Sequence, residues 1–204
     1  MLFSDAPFQQ VDLRNGSLRY FEDFIPEHRS LFDPLKTALD WYQGDVQLFG
    51  KHYKTPRLQC WYGDEAYTYS NVRLEPRAWA DMLLPLKSAV ERSSGYRFNS
   101  MLGNWYQHGQ HGMGFHADNE PELGQHPVVA MLTFGYARDL RFKHKNGRDQ
   151  FTITPQSGSL LVMEGEIQQY WRHGIAKSTR QMGERISLTF RYILPASKQR
   201  VSEK

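Results

Sequence analysis

With 204 residues, 40% of them apolar and 23% charged, the chain has room for one domain with a single sizeable core and none for two full domains. Its one cysteine, Cys60, excludes an internal disulfide framework and a cysteine-based zinc site. The net charge is only +3, so where the charges sit matters more than their sum.

Residues 1–16 are polar and punctuated, and read as a flexible N-terminal arm. From Leu18 the string LRYFEDFI reads as a strand. Pro26 then opens a helix, its fixed φ suiting a first turn, and Leu31, Leu35, Ala38 and Tyr42 recur at helical spacing to make one apolar stripe. A second helix is predicted from about Pro76 to Ser93, with Trp79, Leu83, Leu86 and Val90 on one face. Pro85 falls inside it and should kink or shorten it.

From Phe98 onward the pattern changes to short strand candidates separated by Gly, Pro and Asn: FNSMLGNWY, VVAMLTFGY, RDLRFKH, FTITP, GSLLVMEG, QYWRHGI and RISLTFRYIL. Closely spaced short strands with few helices indicate a sandwich or barrel. The expected architecture is α+β: a jelly roll over about 96–194 with N-terminal helices packed on one sheet. One domain covers 17–197, followed by a basic tail, 198–204.

An aromatic share of 14% suits an aromatic-rich β core, and equally stacking surfaces. Cys60 reads as a small buried apolar residue, since nothing near it in sequence would activate a thiol. No signal segment opens the chain, and no apolar run approaches the ~18–20 residues needed to cross a bilayer. The expectation is a monomer with no membrane association in a reducing compartment, the cytoplasm or the nucleus of a source that has one. Basic residues gather in Lys51–Arg57, in Arg138–Arg148 and between Arg172 and Arg185. Each alone reads as a solvated face; three flanking one site point to a polyanionic substrate.

That site begins at Phe115-His116-Ala117-Asp118, before the polar turn Asn119-Glu120-Pro121, and a third imidazole, His173, follows in QYWRHGI. Two histidines and one carboxylate on three vertices of an octahedron make the facial triad of non-haem iron(II) oxygenases, leaving vertices open for an oxo-acid and dioxygen. On an extended strand His116 and Asp118 would project to the same face. Alone, the spacing is weak evidence, and His108 and His111 are rivals, though their Gly-rich loop suggests a surface role. Context strengthens it. Twelve residues past His173 comes RISLTFR, in which Arg185, Ser187, Thr189 and Arg191 share one strand face. Two inward arginines are costly unless each meets an anion, and a dicarboxylate such as 2-oxoglutarate would answer both. The competing reading of this strand is an outward polar edge.

Taken together, HxD…H followed by RxSxTFR, with FNSMLGNWY upstream, resembles the AlkB family of nucleic-acid demethylases, and its animal repair members in particular. LFGK, PRLQCWYGDEAYTYS, HADNEPELG, LTFG and GSLLVMEG extend the likeness in order over about residues 45–194. The resemblance implies a double-stranded β-helix, iron(II), 2-oxoglutarate and O2, and oxidative demethylation of 1-methyladenine and 3-methylcytosine in DNA or RNA with release of formaldehyde, that is, direct reversal of alkylation damage. It implies His116, Asp118 and His173 as iron ligands. Asn104, Tyr106 and Ser187 would contact 2-oxoglutarate, Arg185 its distal carboxylate, and Arg191 would lie near its chelating end. The family usually has Asn where this chain has Ser187, whose hydroxyl reaches less far. A nucleotide-recognition lid is implied over about 45–72, with Tyr62 on the target nucleotide, Arg57 nearby and Phe49 as an intercalating finger. Glu120 would read the lesion base, while Asn119 replaces an acidic residue common in close relatives.

Three other readings compete. An oxygenase acting on a protein side chain or small molecule has no use for the lid and basic clusters. A nucleic-acid-binding module without catalysis has no need of the triad, and a cupin-type isomerase would leave Arg185 and Arg191 without a partner.

Overall fold

The computed structural model describes residues 7–48, 51–69 and 72–195. Gln9–Leu13 (β1) and Gly16–Phe21 (β2) form an antiparallel hairpin whose turn residue Asn15 sits at φ 63, a region that Asn tolerates. Residues 9–13 are therefore a sheet strand rather than part of a free arm, and the strand expected over LRYFEDFI ends at Phe21. Helix α1, His28–Ala38, follows, stopping short of Tyr42, which opens β3 (Tyr42–Leu48). β4 (Lys51–Gly63) pairs back on β3, and β5 (Tyr67–Tyr69) with β6 (Val72–Leu74) makes a separate two-stranded sheet.

The second helix, α2, spans Leu83–Ser94 rather than starting at Pro76. Pro85 accounts for the difference. Placed in the first turn, its missing N–H is one that has no intrahelical partner anyway. Gly95 ends the helix at φ 81, donating its N–H to the Glu91 carbonyl. The remaining strands are β7 (Ser100–Tyr106), β8 (Met113–His116), β9 (Val129–Gly135), β10 (Leu140–His144), β11 (Gln150–Ile153), β12 (Leu160–Glu164), β13 (Trp171–Ile175) and β14 (Arg185–Arg191). A 3₁₀ turn, Pro121–Leu123, and a single helical turn, α3 (Ile167–Tyr170), interrupt them.

The strands form an eight-stranded sheet, β1-β2-β12-β9-β14-β7-β4-β3, and a four-stranded sheet, β11-β10-β13-β8. This is the two-sheet jelly roll that the sequence predicts. Alternation along β14 shows how the layers divide. Ile186, Leu188 and Phe190 enter the core that joins the large sheet to α1 and α2 through Leu35, Leu83, Leu86 and Val90. At about 1.5–3 kcal/mol for each fully buried aliphatic or aromatic side chain, that layer is a main source of stability. The opposite face of the large sheet meets the small sheet across a second core containing Leu18, Met131, Leu161, Phe142 and Trp171. Arg185, Ser187, Thr189 and Arg191 point into this space between the sheets, buried like the rest of their strand.

Candidate metal centre and co-substrate pocket

His116 closes β8 and lies directly opposite His173 of β13, ring centroids 4.4 Å apart. Asp118 lies just beyond the end of β8, so the loop rather than strand alternation brings it to the same side. One ligand atom from each of His116, Asp118 and His173 falls within 4.8 Å of the others. His116 uses Nδ1 on the Gly114 carbonyl (3.0 Å), which leaves Nε2 to coordinate. His173 turns Nε2 toward Asp118 Oδ2 at 3.8 Å.

The electrostatics suit coordination. Burial, with His116 beside it, pushes His173 down to about 3, and burial likewise lowers His116, so both imidazoles are neutral with lone pairs available. Burial alone would raise Asp118, but the Arg191 guanidinium and the neighbouring histidines more than offset it and hold the carboxyl below its usual range. Arg191 donates from Nε (3.1 Å) and Nη2 (2.8 Å) to the same oxygen, Oδ1. Oδ2, buried and without a hydrogen-bond partner, faces the cluster. A divalent cation would satisfy that orphaned oxygen. The backbone N–H of Asp118 is fixed by the side chain of Gln168, a fully buried residue of α3 (3.0 Å). No pattern in the sequence singles out Gln168, since its role depends on a contact 50 residues away.

Beside the cluster lies a small cavity lined by Asn104, Tyr106, Met131, Ser187, Thr189 and Arg191 among others. Arg185 lies over the Tyr106 ring, its guanidinium carbon 5.4 Å from the centroid. Its Nη2 donates to Thr133 Oγ1 (3.2 Å), while Nε and Nη1 are buried without a partner. Burial brings its pKa down to about 10, with Tyr106 opposing the shift and Arg138 adding to it. The two arginines of β14 therefore have different settings. Arg191 already has an anion in Asp118; among the described residues Arg185 has none.

These features agree with comparisons to known proteins. The model of the 2OG-Fe(II) oxygenase superfamily matches residues 17–191. The bovine alpha-ketoglutarate-dependent dioxygenase alkB homolog 3 is 36% identical over 84% of this chain and 63% of its own length. The mouse DNA oxidative demethylase ALKBH2 is 34% identical over 84% of this chain and 77% of its own length. The chain belongs to the 2OG-Fe(II) oxygenase superfamily, among its AlkB homologues. It spans only 52–63% of the length of the bovine and rat alkB homolog 3 proteins. Among solved structures, that of OsALKBH1 shares the fold, with a TM-score of 0.64 and 14% identity over 91% of this chain and all of that one.

Within an AlkB homologue of this build, the residues expected on the nucleotide side fall in different places. Tyr62 must be corrected. Its register partner on β7 is Met101, and it lies on the helix-covered face of the large sheet, away from the cavity. Its hydroxyl accepts from the Asp40 backbone N–H (2.9 Å) and donates to Asp40 Oδ2 (3.4 Å), and burial raises its pKa. Arg57, expected near the target nucleotide, is buried, and its Nε donates to Asn104 Oδ1 at 2.5 Å. That bond orients Asn104, opposite Ser187 on β14, at the cavity wall. The lid expected over 45–72 begins as the β3–β4 hairpin, a continuation of the large sheet's edge. Phe49 lies outside the described residues. Glu120 is partly buried and precedes the 3₁₀ turn two residues from Asp118.

The rival histidines, His108 and His111, pack against each other in the loop after β7, ring centroids 4.1 Å apart and planes tilted by 51°. Cys60 is buried, and burial pushes its thiol well above the usual range, as expected of an inert core residue. The outward face of the small sheet is basic, with Arg141, Lys143, Lys145 and Arg172 exposed, and Lys143 Nζ lies 4.6 Å over the ring of exposed Phe115. Arg138, in sequence part of that basic cluster, is instead buried.

Proposed function

We propose that the chain is an iron(II)- and 2-oxoglutarate-dependent demethylase of N-alkylated bases, acting on 1-methyladenine and 3-methylcytosine in DNA or RNA as direct-reversal repair. The observation that carries the reading is a neutral His–His pair with an orphaned Asp118 oxygen beside a cavity lined by Tyr106, over whose ring lies the buried Arg185, without an anion among the described residues. The donor set fits iron(II), and the lone guanidinium fits the far carboxylate of a dicarboxylic oxo-acid. When bound, iron(II) with 2-oxoglutarate and dioxygen supplies the oxidising power that hydroxylates an N-methyl group, whose product releases formaldehyde.

The chain's own residues position and protect. Arg191 and Gln168 hold Asp118 from two sides, one at the carboxylate and one at the backbone. Arg57 orients Asn104 toward the oxo-acid, with Tyr106 beside it and Ser187 opposite. Met131, Leu140 and Met163 line the apolar side of the cavity and keep water out. On the substrate side, Glu120 suits the positive charge of the methylated bases, and the β3–β4 hairpin carries the lid, with Phe49 as a wedge that offsets the unstacking of a flipped base. The basic face around Lys143 and Arg172 tracks the phosphate backbone. No described helix is long and apolar enough to cross a membrane. The proposal places a monomeric enzyme in the cytoplasm or nucleus.

The test is incubation with iron(II), 2-oxoglutarate and oligonucleotides carrying either lesion, following methyl loss by mass spectrometry. Loss of one methyl group per lesion with formaldehyde release is expected. Oxo-acid consumption while methylated DNA and RNA stay intact would move the substrate to a protein side chain or small molecule. Absence of oxo-acid consumption would remove the oxygenase reading itself.

A further inference from the structure

Arg138 lies in the link between β9 and β10, three residues beyond Gly135, the residue that pairs with Arg185 across the sheet. Only 3% exposed, it has no carboxylate partner among the described residues. Its Nη2 donates to the carbonyls of Ala176 (2.7 Å), His111 (3.1 Å) and Gly109 (3.5 Å), while Nη1 is buried with no partner. Arg185 presents two further unpartnered positions, Nε and Nη1. Arg185 stands opposite both Tyr106 and Gly135, and Arg138, three residues past Gly135, bonds the loop that follows Tyr106, so two buried guanidinium groups with three unmet donor positions lie at the same end of the sheet, with no carboxylate partner among the described residues. The electrostatics agree: burial lowers both arginines, Tyr106 acts on both, and Arg138 bears directly on Arg185. Leaving two like charges buried in this way is costly, and one carboxylate, able to accept about four hydrogen bonds, would answer all three open positions.

We propose that Arg138 is a second arginine for the distal carboxylate of the co-substrate, so that the pocket selects a dicarboxylic oxo-acid with two guanidinium groups rather than one. The proposal rests on the co-substrate reading above. It assigns the carbonyl contacts of Nη2 a purpose: they fix the guanidinium so that Nη1 is presented without reorganisation. They also tie the loops holding His111 and Ala176 to the occupied pocket.

The experiment measures the affinity of the manganese(II)-loaded chain for 2-oxoglutarate and for 2-oxopentanoate, which has the same chain and chelating end but no distal carboxylate. The wild type should prefer the dicarboxylate strongly; failure to bind 2-oxoglutarate at all would remove the co-substrate reading rather than the assignment of Arg138 alone. Arg138→Gln should weaken 2-oxoglutarate by roughly 10- to 100-fold, the effect of losing a charge-assisted contact, and leave 2-oxopentanoate unchanged. Arg138→Lys, which keeps the charge, should recover part of the loss. Equal weakening of both acids, or none of either, in a variant whose melting temperature shows it folded would overturn the proposal and leave Arg138 as a loop staple. If Arg138→Gln does not fold, Arg138→Lys decides: an unchanged preference for the dicarboxylate together with full amide exchange in 108–112 and 176–178 upon 2-oxoglutarate binding contradicts the proposal, and a reduced preference supports it.

Discussion

The two faces of β14 differ sharply although every residue of the strand is buried. One face, Ile186, Leu188 and Phe190, meets α1 and α2 in an apolar layer. The other, Arg185, Ser187, Thr189 and Arg191, faces the small sheet with two full positive charges in a region shielded from water. The apolar face is complete as it stands, whereas on the polar face Arg185 still has open donors and Asp118 an open acceptor. Folding energy and ligand chemistry thus come from alternate residues of a single strand, separated only by the pleat.

Substitutions on each face should break different properties. Arg191→Met leaves Asp118 buried and uncompensated, and should cost about 3–5 kcal/mol of metal-free stability. Added manganese(II) should restore much of that loss, a recovery visible in thermal melts with and without metal. Leu188→Ala should cost about 2–5 kcal/mol through the cavity it creates. In the folded fraction its metal affinity should stay at the wild-type level, measured by titration well below its melting temperature. Tyr62→Phe should cost only about 1–2 kcal/mol by removing the hydroxyl's two hydrogen bonds with Asp40. Demethylation kinetics should not change, and a large rise in KM for the oligonucleotide would return Tyr62 to the nucleotide side.

The polar face is the more legible of the two in sequence, because two arginines on one side of RISLTFR call for an anion wherever that side is buried. The triad is legible as residue types, but its convergence depends on a loop that carries Asp118 past the end of β8. Pro85 marks the shortening of α2 without fixing which side of it the helix keeps. The contacts of Tyr62, Arg57, Gln168 and Arg138 are not legible. Each is decided by a partner far along the chain, as with Arg57 and Asn104, so a local pattern of charge or aromaticity places Arg138 and Tyr62 on surfaces they do not occupy.

The central claim is that His116, Asp118 and His173 hold one metal ion on the polar side of the jelly roll. Metal content per chain, measured after loading with iron(II) under anaerobic conditions and desalting, tests it most directly. The account predicts one ion per chain for the wild type and none retained by folded His173→Ala; full retention by that variant would contradict it.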